Sequence, residues 1–333
     1  MLPECSRSGE YRARVFVGVS RATLARLVVL AVVVLCIASA FSTPSIRNDR
    51  DPAVYRDTLL FMRQGHGYYQ AAELGLEEHH IGPVASARGM RLPTVFLLWR
   101  LVGGLHAVWL LYLALVVVGT TVAAILLVRS PLLAALPALY LFRLGRDAYP
   151  LTELWAVPFV AWAMAATAAN RPRLSAALST VATAIRELAF PILVGGLVVA
   201  LHRRRDRWAW VAGMAVVVAV FAIHSHLASP FLRSPGNEAP LLGSGRFPST
   251  FVDLLGFNLV GGAVIGPALF ALAIWQLLER GWLVAFGPFF ALGFVGLLVD
   301  RPYWGAMLVP LTLLLGGQQV VDLISPRIRS LRS

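Results

Sequence analysis

Apolar runs of about 18 residues or more recur along almost the whole chain, and no other feature constrains its fold as strongly. A helix rises 1.5 Å per residue, so runs of that length approach the ~30 Å hydrocarbon core of a bilayer. Of the 333 residues, 58% are hydrophobic and only 14% charged. Ordinary soluble domains carry roughly a quarter charged residues, so this balance excludes a soluble enzyme and a disordered chain. The two cysteines, Cys5 and Cys36, build no disulfide framework and have no metal-ligand spacing. The expected fold is all-α: a polytopic membrane bundle of about ten transmembrane helices in a single domain.

The first apolar run, Leu27 to Phe41, follows a basic lead-in and contains Ala38-Ser39-Ala40, a signal-peptidase-like site. Retention as a span and cleavage as a signal peptide both leave the next segment outside. Further runs are read at Leu105–Val128, Leu132–Phe142, Leu154–Ala169, Ala176–Ile185, Leu188–Leu201, Trp208–Ala228, Phe257–Leu278, Trp282–Val299 and Trp304–Ile324. Pro93 to Val102 is too short to cross and is read as interfacial. Residues 43–92 form a first outer loop with an interfacial helix from about Pro52 to Gln64. Residues 229–256 form a second outer loop, and residues 1–26 and 325–333 are the cytoplasmic ends.

Charge tests this topology. All basic residues are Arg, and the formal net charge is +12. The pieces assigned to the cytoplasm carry a net +11, and everything assigned to the outer side carries +1. That split follows the positive-inside rule. The basic character is therefore topological, and nucleic acid is excluded as a partner.

The outer charges come as neighbours at span ends: Asp49-Arg50-Asp51, Arg56-Asp57, Arg146-Asp147, Arg186-Glu187 and Asp300-Arg301. Ionisable groups at that depth are costly, so they pair with one another or line a watered cavity. Glu77-Glu78-His79-His80 has no pair of histidines four residues apart, and a solvated helix rather than a metal site is expected there. No tightly bound cofactor is required, although the outer carboxylates leave room for a divalent cation.

Several short patches resemble a known group. Asp51 just after the first span, then Tyr55, then Gly65, Gly67, Tyr68 and Tyr69, resemble the first outer loop of GT-C superfamily glycosyltransferases that use polyprenyl-phosphate donors. Arg91-Leu92-Pro93 is similar to the entry into the family's next span. Asp300-Arg301-Pro302-Tyr303 with Pro310 is similar to its late acidic-Arg-Tyr element, here with Pro302 inserted. The resemblance is to actinobacterial mannosyl- and arabinosyltransferases.

It implies an inverting transferase of the inner membrane, with its active site outside. Its partners would be a polyprenyl-phosphate-linked sugar, a glycan, lipid or protein acceptor, and membrane lipids. Asp51 is then the candidate general base, with Asp49 in reserve. Arg91, Arg186, Arg301 and Arg146 are candidates for the donor phosphate, Tyr303 for positioning, and Glu187, Asp147 and Glu153 for orienting arginines or binding sugar. The chemistry suits these residue types: a carboxylate accepts the acceptor's proton, and guanidinium groups stabilise the leaving phosphate. Two other readings stay open: a lipid or glycolipid transporter, and a non-catalytic subunit of envelope assembly.

Overall fold

A computed structural model describes residues 51–80, 90–128, 131–232, 266–298 and 302–330. Every regular element among them is a helix. Two helices fall within the first predicted loop, α1 (Asp51–Arg63) and α2 (Tyr68–Glu78), followed by the short α3 (Thr94–Val102). The long α4 (Leu105–Leu127) contains a π-helical stretch at Leu113–Val118. Next come α5 (Pro131–Ala148), α6 (Thr152–Ala168), α7 (Pro172–Ile185), α8 (Phe190–Arg203) and α9 (Arg207–Ala228). The described chain closes with α10 (Gly266–Glu279), α11 (Leu283–Leu298) and α12 (Pro302–Ser330). The signal-like run Leu27–Phe41 and most of the loop at 229–256 lie outside the described residues.

Antiparallel hairpins set the architecture. The α6–α7 turn is tied by Thr167 Oγ1 and Ser175 Oγ at 2.9 Å. Helices α7 and α8 run in opposite directions on either side of a break at Arg186–Ala189, because Arg173 at the start of α7 reaches Asp206 just beyond α8. Two ends of the bundle follow. One holds α1, α2, the start of α6 and the ends of α7 and α9. The other holds the α6–α7 and α8–α9 turns.

The core is apolar side chains from nearly every helix, among them Trp99, Trp155, Tyr112, Phe286, Phe290 and Leu314. Small residues let backbones approach. A Cβ at Gly195 would collide with the Val284 and Ala285 carbonyls of α11, and one at Gly145 would enter the Tyr112 ring. Tyr112 in turn donates to the Leu141 carbonyl at 2.7 Å. Close approach of this kind puts helix backbones in direct van der Waals contact. Gly195→Val is therefore expected to cost about 1–3 kcal/mol by overpacking against backbone that cannot yield. Thermal melting of the detergent-purified chain reads this, with the surface change Leu201→Ala, at an exposed position of α8, as the silent control.

Two helices, Leu105–Leu127 and Arg207–Phe231, are long and apolar enough to cross a membrane. Within them only 33% and 22% of the most apolar window is buried in the protein. Their outward faces carry Leu110, Val118, Ile125, Leu126, Val216, Val218 and Ile223, all exposed.

Candidate functional site

Helix α1 begins at Asp51, with Pro52 in its first turn, where the missing N–H is no loss. Asp51, Tyr55 and Thr58 lie on one face of this helix, one turn apart. That face meets Arg91, which stands in the connection just before α3. Arg91 Nε donates to the Tyr55 hydroxyl at 2.5 Å, and its Nη2 donates to Asp51 Oδ2 at 3.4 Å. The Tyr55 hydroxyl in turn donates a hydrogen bond to the same Asp51 oxygen at 3.4 Å. The Arg91 carbonyl accepts from Tyr68 of α2 at 2.5 Å, which locks the connection onto both loop helices.

A second group lies beside the first. Glu153 opens α6 and Arg186 follows the last residue of α7, so the α6–α7 hairpin brings the two together. Arg186 Nη2 sits 2.8 Å from Glu153 Oε1, and Nη1 pairs with Glu187. Two of these side chains are sealed, Arg186 at 2% exposed and Glu153 at 0%, whereas Glu187 is 32% exposed. Arg186 Nε has no hydrogen-bond partner among the described residues, so this buried guanidinium keeps one donor in reserve. Asp51, at 29% exposed, forms the open edge of the constellation together with Glu187.

The two groups act on each other electrostatically. Burial opposes the charge on Arg91, but the Tyr55 oxygen, Glu153, Glu187 and Asp51 outweigh it and push its pKa well above the usual guanidinium value. Burial likewise raises the Tyr55 pKa far above the phenol range, against the lowering influence of Arg91, so Tyr55 stays a neutral donor. Glu187 feels burial, which raises its pKa, but Arg186 and then Arg91 overcome it and hold the carboxyl below its ordinary value. A depressed carboxyl stabilises the fold above its unfolded pKa, and that contribution is lost as pH falls through the folded value. Melting temperature in detergent should therefore fall as pH drops below about 4.5, the ordinary carboxyl value, and Glu187→Gln should flatten that part of the curve.

Of the residues singled out from sequence, the structure brings Asp51, Arg91, Arg186, Glu187 and Glu153 to one end of the bundle. Arg146 is exposed near the end of α5, with no contact assigned to this group. Asp147 and Tyr303 are in helices, but their side chains, like Asp49 and Arg301 altogether, lie outside the described residues. Three further residues belong to the surroundings. Tyr55 links Arg91 to Asp51, although the sequence marks it only as part of a motif. His224, near the end of α9, is buried between the Tyr69 hydroxyl and the Met90 carbonyl, each at 3.1 Å, and so braces the residue next to Arg91. His79 pairs with Asp57 at 2.7 Å and clamps α2 to α1.

Among the described residues, no group of three or more His, Cys, Asp or Glu side chains is arranged to hold a metal ion. No protein-family model matches the chain, and no curated protein or solved structure matches it.

Proposed function

We propose that this chain is a polytopic membrane glycosyltransferase that moves a sugar from a polyprenyl-phosphate donor to an acceptor hydroxyl. The observation that carries the reading is the paired arrangement of an accessible carboxylate, Asp51, with the guanidinium of Arg91, beside the buried Arg186–Glu153 pair and the part-exposed Glu187. Transfer needs a proton acceptor and a fixed cation within a few ångströms of one another, and both are present.

In the proposed step, Asp51 takes the proton of the acceptor hydroxyl as its oxygen attacks the anomeric carbon. The bond from that carbon to the donor phosphate oxygen breaks, with inversion. The phosphate leaves on the lipid carrier with its new charge held by Arg91. Arg186 acts from behind: its charge, balanced by two carboxylates, fixes the wall against which the reacting groups rest. Tyr55 keeps Arg91 and Asp51 in register and exchanges no proton.

The membrane part of the proposal draws support from the two long helices whose apolar residues face outward. A helix that is apolar all round and only partly covered by protein needs lipid on its free side. Seven further helices, α5–α8 and α10–α12, and the run Leu27–Phe41, which lies outside the described residues, complete the proposed ten-span bundle, with the Asp51 end outside and the Arg203–Arg207 end in the cytoplasm.

Two measurements test the proposal. A single cysteine at position 66 should react with an impermeant thiol reagent in intact cells, and one at position 204 should not; the reverse pattern overturns the orientation. Membranes containing the protein should move radiolabelled sugar from polyprenyl-phosphate donors into envelope material faster than membranes without it.

A further inference from the structure

The end of the bundle opposite Asp51 carries a second concentration of charge that glycosyl transfer does not use. The α6–α7 turn supplies Arg171 and Arg173, and the α8–α9 turn supplies Arg203, Arg204, Arg205 and Arg207. All six are exposed, and the α7–α8 hairpin folds the two turns against each other. Between them lies a cleft of about 380 Å³ lined by Arg171, Pro172, Arg173, Leu174, Arg205 and Asp206. Asp206 is the single acid. Its Oδ1 accepts from Arg173 Nε at 2.6 Å and its Oδ2 faces Arg205 Nε at 3.4 Å, so one carboxylate holds two arginines on the walls of the cleft. Three arginines against one carboxylate in the lining leave the cleft cationic, and Arg203, Arg204 and Arg207 add positive charge around it.

We infer that this cleft binds the phosphodiester headgroup of an anionic phospholipid. Guanidinium groups match phosphate oxygens bidentately, and basic pockets between helices at the cytoplasmic boundary are suited to such headgroups. The apolar rim decides between a lipid and a water-soluble anion. Leu174 and Leu201 are exposed beside the arginines, and Trp208 is 71% exposed with the Arg207 guanidinium 5.4 Å from its ring centre. A soluble phosphate would leave this rim in water. A phospholipid seated by its headgroup covers it with acyl chain, and Trp is the side chain favoured at that depth. The site rests on the membrane part of the proposed function and is independent of glycosyl transfer.

The test is a titration of the detergent-purified full chain with phosphatidylglycerol and with phosphatidylcholine, bound lipid being counted by native mass spectrometry. The chain should prefer phosphatidylglycerol. Arg171→Gln with Arg205→Gln should cut that preference roughly 25-fold, at about fivefold for each arginine removed. The corresponding Lys pair should keep most of it, because the charge remains while the planar fork is lost. Both positions are exposed, so the changes leave the core intact, and an unaltered melting temperature verifies this. Equal binding of the two lipids, or a preference that survives the Gln pair, overturns the site. Displacement of the lipid by millimolar inorganic phosphate overturns the lipid assignment in favour of a soluble anion. Recovery of the chain in the soluble fraction removes the membrane reading itself, whereas a membrane-bound chain without headgroup preference removes only this cleft.

Discussion

Asp51→Asn is expected to lower sugar transfer by about two to four orders of magnitude, the usual range for losing a general base, while the protein still folds and inserts. Asn keeps the size of the side chain and serves a helix start about as well as Asp. It also still accepts the Tyr55 hydroxyl proton, so the loop helices should stay docked. What disappears is the proton acceptor at the exposed edge of the site. If Asp51 only began α1 and paired with Arg91, the substitution would be nearly silent in activity. Arg91→Lys separates the two functions further. It retains a positive charge but loses the fork that spans Tyr55 and Asp51, so donor affinity and turnover should both fall.

Removing Arg186 should have the largest effect on stability. Arg186→Leu leaves Glu153, with no exposed surface, without its direct ion-pair partner, and breaking a buried pair in this way costs about 3–5 kcal/mol. Glu153→Gln should cost less, because Arg186 retains Glu187 as a partner. The double variant Arg186→Leu with Glu153→Leu should recover part of the loss, since an apolar replacement of a whole buried pair is often tolerated. Melting temperatures of the three variants in one detergent read this order. Equal stability of Arg186→Leu and the parent would mean that the carboxylates are neutral or watered, contrary to the arrangement described here.

The long helices were legible because length and apolar content suffice for them. The runs Leu105–Val128 and Trp208–Ala228 match α4 and α9 to within a residue at each end. Helix α5 extends past the expected stop at Phe142 to Ala148, since Arg143 and Arg146 end an apolar run but are good helix formers. Helix α2 was harder to see. It has Gly75 in its middle, no side-chain cap at Gly67 and a mixed composition, and the packing of Gly75 against Thr58 of α1 is what holds it.

The site shows the same division. The adjacent pair Arg186-Glu187 is visible in the sequence as a pair. The contact of Arg186 with Glu153 is not, because it exists only once the α6–α7 hairpin closes. Tyr55 and Arg91 lie far apart in sequence, so their hydrogen bond depends on how α1 docks on α3. Chemistry-bearing residue types could thus be named from the sequence, whereas their partners depend on tertiary packing.

The central claim, that Asp51 and Arg91 form the reaction centre of a lipid-dependent transferase, is tested most directly with the purified chain in vesicles. Radiolabelled mannosyl and arabinosyl polyprenyl phosphates would be supplied as donors and a cell-envelope glycolipid extract as acceptor, with no other protein present. The account predicts donor-dependent appearance of label in the acceptor, with the anomeric configuration opposite to that of the donor, and its loss in Asp51→Asn. Label transferred equally well by the parent, by Asp51→Asn and by Asp49→Asn would contradict it, as would donors left intact by a folded, correctly inserted protein.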